Sequence, residues 1–367
     1  MLNIPFFPYS KLFSEDEESY VAIFRDICSR GAFILQTEVA EFEAAICDIT
    51  GSKYALGVGN ATDAMSLGFM AAGLKEGGEV IISSHTMIAT ASAIKLAGCI
   101  PIPVECGKDH LIDIGAIEAA INSNTVAIMP TQLNGRVANM DAVCALAAEY
   151  GLDVYEDAAQ ALGAKYNGKC AGTFGKAACI SFYPAKTLGC FGDGGILLCQ
   201  DEDLYNRAKI IRDHGRGPDG QIRVWGLNTR LDNLQAGIML HKLKSYAGWI
   251  DRRRELATLY SEILGGIDEL VLPPLPNEST HFDIFQNFEI EAERRDELKD
   301  YLHEAGVGTL VQWSGIAVHH CKDLGFSQDL PYTDELFTKM LMLPMHHILF
   351  DDEVQKIGEL IVKFYEK

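Results

Sequence analysis

Short apolar runs, each closed by glycine, proline or polar residues, alternate along residues 54–199 with longer stretches in which apolar side chains recur every three or four positions. The short runs have the length of buried strands, and the longer stretches have the period of helices with one apolar face. Seven strands are expected, beginning at Tyr54, Glu79, Ile100, Val126, Leu152, Ala178 and Ile196. Ile100-Pro101-Ile102-Pro103-Val104 carries two prolines. Proline cannot donate to a ladder, so this run suits a sheet edge. Helices are expected over residues 16–29, 39–49, 63–72, 112–121, 140–150 and 202–213, with another running from beyond Met87 to about 97. Strands alternating with helices imply parallel pairing through right-handed crossovers, and hence an α/β fold.

The pattern changes after residue 213. Leu234 and Ile238 have helical spacing, which resumes at Leu256, Leu259, Tyr260 and Ile263. The region reads as a link between two domains. A proline-rich stretch at 271–276 marks a connection, and 285–290 and 307–313 read as strands. Residues 294–305 and 351–364 have helical spacing. These make a smaller α+β unit able to cap a site on the first. Pro5 and Pro8 stand among aromatics near the start, as in an extended arm. The expected division is an arm at 1–15, a large domain at 16–250 and a small C-terminal domain at 251–367.

Composition narrows the class. With 48% hydrophobic residues in 367, the chain can bury a sizeable core. The formal net charge of −20 opposes binding to nucleic acid, which depends on neutralising phosphates. No apolar run is long enough to span a bilayer, and no cleavable leader pattern stands at the Met1 end, so a soluble cytoplasmic protein is expected. The ten cysteines show no CxxC pairing, and Cys179 and Cys199 fall inside apolar runs. They read as buried thiols of a reducing compartment. Adjacent His319 and His320 read as hydrogen-bonded packing residues, and no metal is assigned.

Chemistry concentrates between Asp153 and Cys199. The strand beginning at Leu152 ends in Glu156-Asp157, the next continues into Ser181-Phe182-Tyr183-Pro184-Ala185-Lys186, and a glycine-rich turn follows from Gly189 to Gly195. A carboxylate and a lysine thus lie just beyond neighbouring strand ends, where open α/β sheets bind ligands. That pair suits pyridoxal phosphate: the lysine amine condenses with the cofactor aldehyde, and the carboxylate keeps the ring nitrogen protonated. Singly, each residue is ordinary; the string SFYPAK followed by GDGG is not. Near Tyr54, a strand closes on Gly59-Asn60-Ala61-Thr62 before a helix, presenting free N–H groups to an anion. Gly57-Val58-Gly59 lacks the third glycine of a dinucleotide fingerprint, Thr62 standing there. A nicotinamide oxidoreductase built on this turn would also leave Lys186 without a role.

The string EDAAQA, the serine-aromatic run ending in Lys186 and the GDGG turn resemble the DegT/StrS-like sugar aminotransferase family of fold-type I pyridoxal phosphate enzymes. The likeness extends from about Phe33 to Leu343-Pro344-Met345. It implies a large domain with a mostly parallel seven-stranded sheet and a smaller α+β C-terminal domain. It also implies Lys186 as the Schiff-base lysine, Asp157 at the ring nitrogen, Gln160 near the ring hydroxyl and Ser181 at the phosphate. Asn60, Ala61 and Thr62 belong to the phosphate turn, with Ala61 replacing a commoner glycine. Met87 stands where relatives stack an aromatic ring on the cofactor; a thioether can cover a ring face too. Asn228, in Gly226-Leu227-Asn228-Thr229-Arg230, matches a loop that crosses a homodimer interface to a neighbour's phosphate. Relatives that dehydrate carry histidine in place of the lysine, so transamination is favoured here. The implied reaction moves an amino group from glutamate to a keto sugar, preferably nucleotide-linked. Departures at Met87, Gln132, Asn134 and Gln312 keep open an inosose or a small phosphorylated ketone as substrate. A regulatory protein that binds the cofactor is a further alternative.

Overall fold

The computed structural model describes residues 2–366. Its centre is a seven-stranded sheet of β1 (Tyr54–Val58), β2 (Glu79–Ser83), β3 (Ile100–Val104), β4 (Thr125–Met129), β5 (Asp153–Asp157), β6 (Ala177–Ser181) and β7 (Gly195–Cys199). The order is β1-β7-β6-β5-β4-β2-β3, which puts proline-bearing β3 at an edge. From β2 to β6 every pairing is parallel, whereas β7 runs antiparallel to both its neighbours. Residues 182–194 contain no helix. A connection without a crossover element returns the chain antiparallel beside the strand it left. The sheet is thus mostly parallel, as expected, with β7 its one antiparallel strand.

Alternation along the strands divides two apolar layers. Ile81, Ile128, Val154, Ala178 and Leu198 pack on one face of the sheet. Val80, Ile82, Ala127, Met129, Tyr155 and Leu197 pack on the other. Strands buried on both faces read as continuous apolar runs, which is why they stand out in the sequence. Helices cover both layers, among them α1 (Ala61–Ala72) and α2 (Ile88–Leu96).

A second, antiparallel sheet joins β8 (Leu270–Val271), β9 (Phe288–Ala292) and β10 (Met340–Leu343). Phe288, Ile290, Leu341 and Leu343 pack there with Leu256, Tyr260, Ile357 and Ile361. The chain passes between the two sheets along one unbroken helix, α3 (Asn233–Leu264), so the expected 250/251 division falls inside it. Two local expectations are corrected. Residues 307–313 do not form a strand: Leu310 bridges to Met342 in isolation, and a short 3-10 turn, Gln312–Gly315, follows with Trp313 and Ser314 at positive φ. The arm is not wholly extended, because Tyr9–Ser14 forms a helix, while Ile4 pairs with Val307.

Candidate active site

A cavity of about 760 Å3 opens at the carboxyl ends of β5 and β6 and at the start of α1, a size suited to a small cofactor with its substrate. Asn60, Ala61, Thr62, Met87, Asp157, Gln160, Ser181 and Lys186 all lie on its wall. Those eight residues are scattered over more than a hundred positions of sequence and are gathered by the sheet order. Asn228 does not line this cavity. It is exposed, with its carbonyl accepting from Arg230 Nη2 at 2.5 Å.

The strand period separates the two adjacent carboxylates. Successive side chains point to opposite faces, and Glu156 and Asp157 enter different surroundings. Glu156 is fully buried and accepts from the backbone of Gly172, Phe174 and Gly175 and from Gln132 Nε2, at 2.7–3.1 Å. Burial pushes its pKa up, against those four donors. Asp157 faces the cavity. Its Oδ2 accepts from Thr90 Oγ1 at 2.6 Å, and its Oδ1 from the Ala159 N–H at 3.1 Å and from Cys179 Sγ at 3.5 Å. Thr90 shares a 2.8 Å hydrogen bond with Thr86, which shares another with Thr131. The carboxylate is therefore held from both sides by buried donors.

Lys186 lies in the turn after β6, its N–H bonded to the Tyr183 carbonyl at 2.8 Å. Gln286 clamps the residues on either side of it. Its Oε1 accepts from the Thr187 N–H and hydroxyl at 2.7 and 2.8 Å, and its Nε2 donates to the Ala185 carbonyl at 2.9 Å. Burial lowers the Lys186 pKa to about 8, outweighing the raising influence of Asp157 and Cys179. An ammonium so destabilised releases its proton near neutral pH, as a lysine that is both nucleophile and base requires.

The part of the wall at the start of α1 suits an anion. Asn60 caps α1, accepting from the Asp63 N–H at 2.8 Å, which leaves the first N–H groups of the helix without intrahelical acceptors. Gly195 is required for this approach: a Cβ there would lie 2.4–2.7 Å from backbone atoms of Asn60 and Ala61. The Thr62 and Ser181 side chains complete a wall of donors. An anion cradle sharing one cavity wall with Asp157 and Lys186 suits the phosphate, ring nitrogen and aldehyde of pyridoxal phosphate.

The four departures from the family pattern separate in space. Met87 is 51% exposed on the cavity wall rather than packed in the core. Gln312 also lines the cavity. Gln132, one of the departures that keep another substrate open, does not line the cavity: it is fully buried and holds Glu156 and the Ala138 N–H. Asn134 turns its side chain to Glu289, Asn287 and Gln312, but its backbone N–H donates to Gln160 Oε1 at 2.7 Å. That bond uses the Gln160 carbonyl, so the amide group is left as the donor. Sequence reasoning missed Thr90, Gln286, Phe6 and Phe7, the last two being arm residues on the cavity wall. Only Thr90 carried a trace in the sequence: with Thr86 it places two hydroxyls four residues apart at the start of a helix.

Known proteins resemble this chain along its whole length. The chain is 36% identical over 370 residues to a "Pleiotropic regulatory protein" of Geobacillus stearothermophilus, covering 99% of each. It is 34% identical over 370 residues to a dTDP-3-amino-3,4,6-trideoxy-alpha-D-glucose transaminase of Streptomyces venezuelae, covering 100% of this chain and 97% of the relative. Among solved structures, S. venezuelae DesV, determined in complex with a ketimine intermediate, superposes with a TM-score of 0.95 at 32% identity over 100% of both chains. The sequence profile of the DegT/DnrJ/EryC1/StrS aminotransferase family matches residues 14–362, and the chain belongs to that family.

Proposed function

We propose that this protein is a pyridoxal phosphate-dependent transaminase that moves an amino group from glutamate to a keto sugar carried on a nucleotide. The observation that carries the reading is the convergence of Lys186, Asp157 and the anion cradle of Asn60, Ala61, Thr62 and Ser181 on one cavity. Whole-length similarity to a transaminase of a dTDP-linked amino sugar supports the substrate class. Bound there, the cofactor supplies an aldehyde that carries the amino group and a ring that accepts electrons. Asp157 holds the proton on the ring nitrogen, Gln160 donates towards the ring hydroxyl, and Met87 covers a ring face. Lys186, with a pKa near 8, takes and returns the proton that moves during transfer. The free thiols of all ten cysteines support a reducing, cytoplasmic setting.

A second reading, regulation without turnover, is favoured by the name of the Geobacillus relative. A panel of acceptors with glutamate as donor separates the two. Nucleotide-linked keto sugars are expected to turn over, and free inososes and small phosphorylated ketones to be poor substrates. Cofactor binding with no amine transfer to any acceptor would support the regulatory reading.

We further propose a homodimer in which Asn228 serves the partner's cavity. Support comes from its exposed position outside its own cavity and from the apolar surface beside it. Ile222, Val224 and Trp225 are all exposed, Trp225 to 96%. Clustered exposed apolar side chains of this kind mark interaction surfaces. If Lys186→Ala and Asn228→Ala each nearly abolish activity, mixing the two variants is expected to restore roughly a quarter of wild-type activity. Each hybrid then carries both lesions in one site and none in the other. Verified exchange of subunits without recovery would sink the shared arrangement.

A further inference from the structure

Outside the lining of the active-site cavity, three segments bring His85, His110 and Glu289 together. His85 follows β2, His110 follows β3 at a φ of 65°, and Glu289 lies on β9. One ligand atom from each falls within 4.8 Å of the others. Glu289 Oε1 is 2.9 Å from His110 Nδ1 and 3.7 Å from His85 Nε2. Two atoms bound to one zinc-like ion at about 2.0–2.2 Å lie roughly 3–4 Å apart, which both separations approach.

The polar groups are not satisfied among themselves. His85 is completely buried, and neither of its ring nitrogens makes a hydrogen bond. Glu289 Oε2 is likewise buried and unpartnered. A buried imidazole without partners and a buried carboxylate with one oxygen unpaired cost free energy unless another group completes them. The outer contact of His110 has the form that orients metal-binding histidines, a second ring nitrogen held by a carboxylate. His110 Nε2 lies 3.2 Å from Glu291 Oε1. Phe337 packs edge-on against His85 with ring centroids 5.0 Å apart, giving the cluster an apolar side. A small cavity of about 50 Å3 reaches it from elsewhere on the molecule, with Asp109, His110, Asp283 and Glu289 on its wall beside Lys108 and Arg136.

We propose that His85, His110 and Glu289 form a binding site for a divalent first-row transition ion, with zinc the best match to two imidazoles and a carboxylate. Binding joins one nitrogen of each histidine and an oxygen of Glu289 to the ion. The proton now between His110 Nδ1 and Glu289 Oε1 passes to solvent. The ion takes no part in amine transfer. Its influence on the active site runs through Glu289, whose Oε1 also accepts from Asn134 Nδ2 at 3.2 Å, and Asn134 holds Gln160 through its N–H. The site is independent of which carbonyl compound the enzyme takes.

The test is equilibrium dialysis of the full-length, cofactor-loaded protein against zinc after removal of adventitious metal, with bound metal counted per chain. Wild type is expected to hold about one zinc ion in this three-ligand site. Glu289→Gln and His85→Gln should lose that stoichiometric ion, and Glu291→Gln should weaken binding about 10–100-fold through the outer contact. His319, His320 and Asp334 form another cluster of potential ligands, so Asp334→Asn is the control and should keep its zinc. Should the ligand variants fail to fold, anomalous scattering from wild-type crystals grown with zinc decides the matter. A peak bonded to His85, His110 and Glu289 supports the site. No zinc in wild type, zinc retained by folded Glu289→Gln, or a peak only at His319, His320 and Asp334 would overturn it.

Discussion

Lys186→Ala is expected to leave a folded protein whose transamination rate is lower by about four orders of magnitude, the upper range for removing a positioned proton-transfer group. The lysine meets two requirements at once: its turn is clamped by Gln286 on both flanks, and burial brings its pKa to about 8. Borohydride reduction of the loaded wild type followed by peptide mapping should place the pyridoxyl group on Lys186. Lys176 is the nearest competitor in sequence, but it is 56% exposed and paired with Asp153 at 2.6 Å. Label on Lys176 or Lys165 would reassign the cofactor lysine. The lowered pKa also sets a stability trend in cofactor-free protein. Between about pH 8 and the unfolded value near 10.4 the unfolded chain binds more protons at this position, so stability rises with pH across that window. Lys186→Met removes the buried ammonium. Its cofactor-free melting temperature should exceed wild type below pH 8, with the gap closing towards pH 10. A constant gap would mean that Lys186 titrates normally.

The locations of the strands were legible because they are short, mostly apolar runs bounded by turn residues. The seven expected starts fall within one residue of those observed. The antiparallel course of β7 was not legible from period alone. It follows from the absence of a helix between Ser181 and Gly195, which is itself visible as a run of glycines. Residues 307–313 misled because Val307, Leu310 and Val311 have strand-like composition. Their backbones instead make separate isolated bridges, Val307 to Ile4 and Leu310 to Met342. Within the site, residues borne on the strand-end strings could be named from sequence. Thr90, Gln286 and Glu289 could not, since each acts at a distance of 67 to 155 positions from its partner. Gln132 shows the converse error. Thr131 beside it borders the cavity, but the Gln132 side chain points into the core to serve Glu156.

Asp157→Asn is expected to fold and to bind the cofactor while losing about 10²–10³-fold in turnover, the usual cost of removing one preorganised electrostatic contact. The amide can be accommodated without an unsatisfied donor. Its carbonyl can take the Oδ1 position and accept from Ala159 N–H and Cys179 Sγ, leaving the amide nitrogen opposite Thr90. The Thr90 hydroxyl can then reverse, accepting from the amide and donating to Thr86, because a hydroxyl both donates and accepts. Packing is thereby kept while the charge is lost. A neutral amide cannot hold the positive charge of the ring nitrogen, so the loss should appear in the rate of amine transfer rather than in melting temperature or cofactor affinity. Thr90→Val separates charge from orientation: it keeps the carboxylate, removes one donor, and should cost about ten- to a hundredfold, in keeping with one hydrogen bond to a charged group. Single-turnover rates for the loaded variants, measured beside their melting curves, give both readouts. Near-normal turnover in Asp157→Asn with cofactor bound would transfer the role of ring-nitrogen partner to another group. A folded Asp157→Asn protein that fails to retain the cofactor would instead make Asp157 an anchor for binding.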